Sequence, residues 1–250
     1  VDDPTSALGV DRCPIVRPAP LGARGSGPRS RPAHVDGIIG AVTPPSMAVA
    51  TAQLMGRDPV LDGLIERFGP PPRRTRVPAS KRFYALAEMI VYQQLAGKAA
   101  ASIHGRFVAA LGGEVTPETV LAATPELLAS CGLSGAKAAS IRDLAEKVAT
   151  GDIELERIGR LSDADIAEHL VQVRGIGPWT ADMFLLGTLG RLDVWPTGDY
   201  GVRAGFAKAW DLEEIPTPKV LGVLGDPFQP YRSLVAWYCW RVVDDRTANV

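Results

Sequence analysis

Asp199 lies in the string DVWPTGDYGVR, and its chemistry reads in two ways. A carboxylate here can stabilise positive charge on a neighbouring carbon and can orient or deprotonate water. It can equally cap a helix opening at Tyr200, its side-chain oxygen accepting an amide of the first turn. Upstream lies VQVRGIGPWTADMFLL (171–186), the segment richest in functional groups. A helix ending near Val171 would run into Arg174-Gly175-Ile176-Gly177, with Pro178 at the first position of a second helix. Gly175 and Gly177 can take positive φ or let another chain approach closely. Free amides around them and after Pro178 lie at a positive dipole end, which can seat a phosphate. The carbonyls of Val171, Val173 and Ile176 could coordinate an alkali cation, K+ or Na+, bridging to that phosphate. A plain helix–turn–helix corner with a glycine cap would show the same G-x-G, so these residues alone leave the hairpin ambiguous.

The elements that must position these groups are helical. Phe83, Leu86, Ala87, Ile90 and Val91 repeat at three- and four-residue spacing on one face. Thr116-Pro117-Glu118 and Thr124-Pro125-Glu126 each read as N-cap, N1 proline and acidic first turn. Ser134 and Ser162 open further helices, the second with Asp165 near the position of a capping-box acid. No alternating stretch is long enough to build a sheet, so the chain reads as all-α. Residues 1–46, rich in Pro, Gly, Arg and Ser, read as a disordered leader or a non-native extension, and 47–250 as the folded domain.

Composition narrows the classes. The 250 residues are 46% hydrophobic and 22% charged, as in globular proteins, and no apolar run approaches a membrane span. The opening residues lack a basic segment followed by an apolar one, so no secretory signal is expected. Three separated cysteines, Cys13, Cys131 and Cys239, argue against a disulfide framework, a zinc site or a four-cysteine iron–sulfur cluster and fit a cytoplasmic protein. The formal net charge of −1 provides no basic field, so any nucleic acid would have to be held by local contacts.

The string G-I-G-P-W-T-A-D resembles the signature of the helix-hairpin-helix (HhH-GPD) base-excision DNA glycosylases. In that family a catalytic aspartate follows the hairpin after a Gly/Pro-rich loop, which implies this role for Asp199 and DNA contact for Gly175, Gly177 and Thr180. Glycosylase-lyases carry a Schiff-base lysine where this sequence has Trp179, and indole cannot form an imine, so the resemblance implies no lyase step. The cysteine cluster of the endonuclease-III type is also missing. What remains resembles the bacterial 3-methyladenine DNA glycosylase II group. FYALAEMIVYQQLAGKAAASIHGRF (83–107) matches the family's first core helix and its DNA-probing turn, with Gln94 and Leu95 entering the duplex and Lys98 near phosphate. CGLSGAKAASIRDLA (131–145) matches a second landmark, which would bring Gly135 and Lys137 near the DNA backbone.

In FQPYRSLVAWYCWR (228–241), Trp240 matches an aromatic facing the base pocket, Trp237 reads as core, and Arg232 supports the Asp199 loop or stays exposed. Trp179, Trp240, Tyr200 and Met183, with Phe184, would line that pocket, and an indole stacked on a cationic base gains ~1–2 kcal/mol when desolvated. The resemblance therefore implies two small helical subdomains flanking a cleft and a monofunctional glycosylase for alkylated purines. It would act as a monomer on double-stranded DNA containing damaged bases, without a required cofactor, at the nucleoid. Two alternatives stay open: a non-catalytic helix-hairpin-helix DNA-binding module, which would need the hairpin but not Asp199, Gln94-Leu95 and Trp240 together, and a glycosylase for another damaged base.

Overall fold

A computed structural model describes residues 45–72, 75–95 and 97–245, so all but the last two residues of the expected leader lie outside it. Among the described residues there is no strand, and twelve α-helices follow one another: α1 (Met47–Leu54), α2 (Pro59–Phe68), α3 (Arg82–Tyr92), α4 (Gly97–Ala110), α5 (Pro117–Ala122), α6 (Pro125–Ser130), α7 (Gly135–Thr150), α8 (Asp163–Val171), α9 (Pro178–Met183), α10 (Tyr200–Ala209), α11 (Pro218–Leu224) and α12 (Arg232–Asp244). No described helix is long and apolar enough to cross a membrane. The starts are written locally. Thr116, Thr124, Ser134 and Ser162 each accept an amide three residues on, as their sequence context predicts. Asp58 and Thr217 cap α2 and α11 in the same way.

The apolar faces collect into two cores. The first runs from Phe83 to Val194 and holds Leu86, Ile90, Phe107, Ile141, Leu144, Ile166 and Phe184. The second joins α1 and α2 to the C-terminal helices through Leu54, Leu61, Trp195, Phe206, Leu221, Leu234 and Tyr238. Phe206 stacks on Trp210 with ring centroids 4.0 Å apart. Trp240 packs against both cores, so the boundary between the two lobes falls at this indole.

Two contacts set the α10–α12 corner. Arg232, at the start of α12, donates from Nε and Nη2 to the two carboxylate oxygens of Asp193, at 2.9 Å each, which fixes the strand of loop leading to Asp199. Gly205 of α10 lies directly on the backbone of α12, and a Cβ there would collide with the Cys239 carbonyl. The two helices can cross this closely only where one side chain is missing. Gly205→Ala should therefore destabilise the fold by about 3 kcal/mol, since the obstacle is backbone and cannot rotate away. Urea unfolding followed by tryptophan fluorescence reads this directly, and a loss below about 0.5 kcal/mol would contradict the packing described.

Candidate active site

Asp199 takes the capping role that its sequence context allowed. It is the N-cap of α10, and its Oδ1 accepts the Val202 amide at 2.8 Å. The same oxygen accepts the indole N–H of Trp240 at 2.9 Å, and Oδ2 accepts that of Trp179 at 2.6 Å. Three N–H donors from α9, α10 and α12 thus hold one carboxylate in a single rotamer. Cap geometry aims the carboxylate, and the two indoles carry it to the seam between the lobes.

The hairpin forms as expected: α8 ends at Val171 and α9 begins at Pro178. Gly175 has φ +75°, and a Cβ there would strike the Ser140 hydroxyl of α7, so conformation and close packing both demand glycine. The Arg174 amide donates to Asp143 Oδ2 at 2.7 Å, tying the turn to α7. The Ile176 amide donates to the Val173 carbonyl at 3.0 Å.

The turn expected to probe DNA is bound to this hairpin by a residue the sequence did not single out. Gln93 Nε2 donates to the Gly175 carbonyl at 3.0 Å and to the Thr180 hydroxyl at 3.1 Å. Thr180 is consequently buried and braces the hairpin from inside, instead of contacting DNA through its side chain. Lys137 also departs from expectation. Its ammonium donates to the Val91 and Gln93 carbonyls at 2.7 and 2.8 Å, closing the C-terminal end of α3, and burial lowers its pKa. These two bonds spend its ammonium on the turn. Gln94, with φ +56°, and Leu95, 38% exposed, stand out from that turn, and Lys98 is exposed on α4.

Among the expected pocket residues, Trp179 and Trp240 meet at Asp199, and Met183 packs at the edge of the first core. Tyr200 is 69% exposed and Phe184 fully buried, so the first lies at the rim and the second belongs to the core. Trp237 packs against the second core, as expected. A cavity of about 610 Å³ lined by Phe83, Val115, Glu118, Val148 and Arg157 opens elsewhere on the first lobe and involves none of these residues.

A second carboxyl lies within electrostatic range of Asp199. Asp182 is half-buried on α9, one turn from Trp179, and has no hydrogen bond or ion pair among the described residues. Burial, then the nearby charge of Asp199, pushes its pKa up to about 6. The sequence held a signal for it, because Asp182 is the only charged residue between Arg174 and Arg191.

The fold and this constellation define a class. A family model described as HhH-GPD superfamily base excision DNA repair protein matches residues 87–222, and the chain belongs to that superfamily. Among curated proteins it is similar to DNA-3-methyladenine glycosylase 1 of Schizosaccharomyces pombe, 32% identical over 199 residues, 78% of this chain and 87% of the relative. Among solved structures it is similar to the S. pombe 3-methyladenine DNA glycosylase in complex with abasic DNA, with a TM-score of 0.71, 32% identity, and 79% and 98% of the two chains covered. It is also similar to a DNA-3-methyladenine glycosidase from Bacillus halodurans, with a TM-score of 0.70, 31% identity and coverage of 80% and 89%.

The raised pKa of Asp182 has a stability sign. Its folded value lies above the unfolded one, so folding gains from its proton at low pH and loses that gain as pH rises from about 4 to about 6. Asp182→Asn removes the titrating group. The variant should match the parent near pH 4 and become progressively more stable than it up to pH 6, with a constant advantage above. Thermal unfolding across this range checks the prediction; a gain independent of pH would contradict it.

Proposed function

We propose that the chain is a monofunctional DNA glycosylase that hydrolyses the N-glycosidic bond of alkylated purines, of the 3-methyladenine and 7-methylguanine type, after the nucleotide is flipped from the duplex. The observation that carries this is the carboxylate of Asp199, held by two indole N–H groups at the seam between the lobes. Bond breaking leaves an oxocarbenium-like sugar, and a fixed carboxylate stabilises that charge and receives a proton from the attacking water. Alkylation has already made the base cationic, so it departs without strong acid help. The electron-rich faces of Trp179 and Trp240 favour such a base by cation–π attraction of about 1–2 kcal/mol when water is excluded.

Outside the pocket, Leu95 and Gln94 fill the gap left by the flipped nucleotide and offset part of its unstacking cost. The amides at Gly175 and Gly177 grip a backbone phosphate, and Lys98 adds a local charge. The carbonyls of Val171, Val173 and Ile176 would hold an alkali cation; the Val173 oxygen, which accepts the Ile176 amide, keeps a second lone pair for it. K+ or Na+ there would add positive charge toward the phosphate. The reaction itself asks for no cofactor, and Trp179 in place of an amine leaves no group for a Schiff base. The similarity to glycosylases from S. pombe and B. halodurans supports this reading, as does the S. pombe complex with abasic DNA. Its setting would be chromosomal DNA in the cytoplasm, met as a monomer.

Asp199→Asn tests the mechanism while keeping a good helix cap. Release of 3-methyladenine and 7-methylguanine from methylated duplex should fall by ~10²–10³-fold. Equal release by both proteins would overturn the assignment. Borohydride added during turnover should trap no covalent protein–DNA adduct, and a trapped adduct would contradict the monofunctional reading.

A further inference from the structure

We propose that Asp182 is a second acid–base residue of the base pocket, donating a proton to uncharged purines so that these leave as well as the cationic alkylated ones. This rests on the glycosylase reading above and extends its substrate class to neutral lesions such as hypoxanthine.

The geometry comes from α9. Asp182 is one helical turn from Trp179, on the same face, and Trp179 holds Asp199 at 2.6 Å. It is next to Met183, the other pocket residue of this helix. A base whose sugar carbon lies at Asp199 and whose ring lies against Trp179 therefore borders Asp182. This carboxyl is half-buried and has no partner among the described residues, an arrangement that costs stability. A carboxyl spent on structure would be bonded, as Asp143 is to the Arg174 amide and Asp193 is to Arg232.

The charged surroundings are simple. Of the groups on elements packed against α9, Asp199 alone acts on Asp182. The carboxyls of Asp163, Asp165 and Glu168 and the imidazole of His169, all on α8, do not contribute to its shift. The Cys239 thiol of α12 is fully buried, and that burial pushes its pKa up. Asp182, whose pKa burial raises, is thus the proton-holding partner, and Asp199 the oxocarbenium-facing one.

The step balances. As the C1′–N9 bond breaks, its electron pair passes to the purine, and the Asp182 proton moves to a purine ring nitrogen. The base leaves neutral and Asp182 is left ionised. Water adds its oxygen to C1′ and gives a proton to Asp199, and solvent then takes that proton and returns one to Asp182. A cationic alkylated base skips the Asp182 transfer, because its charge is cancelled by the bond electrons alone. An ionised Asp182 even favours binding of such a base. The two substrate classes should therefore respond oppositely to pH. With a folded value of about 6, the protonated fraction falls ~tenfold per unit at higher pH.

The test is single-turnover release of hypoxanthine and 7-methylguanine from matched duplexes between pH 5.5 and 8.5, by the parent, Asp182→Asn and Asp182→Glu. The hypoxanthine-to-7-methylguanine rate ratio of the parent should fall ~tenfold per pH unit above 6.5. Asp182→Asn should lower that ratio at pH 6 by about tenfold or more and flatten its slope, and Asp182→Glu should restore the slope. A flat ratio in the parent, an unchanged ratio in Asp182→Asn, or equal loss of both bases with the slope intact would overturn the proposal. Release of 7-methylguanine without hypoxanthine at any pH overturns it while leaving the alkylpurine reading standing. Release of neither base by the parent removes both.

Discussion

Everything at the Asp199 carboxylate depends on how closely two helices cross. With no side chain at Gly205, α10 rests on the backbone of α12 at Cys239. The next residue, Trp240, then reaches Asp199 at the opposite end of the contact. A wider crossing would withdraw the indole and leave one oxygen with only its capping amide. The cap matters as much as the crossing: a residue that must stabilise a helix end has little rotamer freedom left to lose on binding substrate. Preorganisation of this kind is what electrostatic catalysis requires, since donors already in place need no rearrangement as charge develops.

The DNA-facing side is organised on the same economy. Gln93 links the probing turn to the hairpin with one side-chain amide, and Lys137 seals the helix that carries that turn. The turn of Gln94 and Leu95 is thus tied to the glycine hairpin. With a formal net charge of −1, the protein has no long-range field with which to gather DNA. Fixed relative placement of a few local contacts is the remaining way to hold DNA.

Much of this was legible in the residues. Proline after Thr116, Thr124 and Gly177 announced helix starts, and periodic apolar residues announced the first core, because both signals are local. Asp199 was legible as cap and as carboxylate, and the resemblance of the hairpin chose between them. Three features were less visible. Thr180 and Lys137 carry side chains that suit DNA but are claimed by Gln93 and by the end of α3, contacts between segments far apart in sequence. Phe184 could not be told from a pocket aromatic, because core and pocket share a helical face. Asp182 was overlooked although a lone charge in an apolar helix is a local signal; what gives it meaning is the approach of Asp199 from another element.

The path of the chain between the lobes has a temporal consequence. The first core is built from consecutive residues, whereas α1 and α2 have their partners in the C-terminal helices, as the bond from the Tyr238 hydroxyl to the Gly69 carbonyl, 169 positions away, shows. A ribosome delivers the central lobe complete while the N-terminal helices still wait for their other half. Closing so long a loop adds only logarithmically to the entropy cost, but it cannot begin before α12 emerges. The indole that completes the carboxylate cage is on that last helix, so a nascent chain of this protein can hold a finished hairpin without a finished catalytic centre.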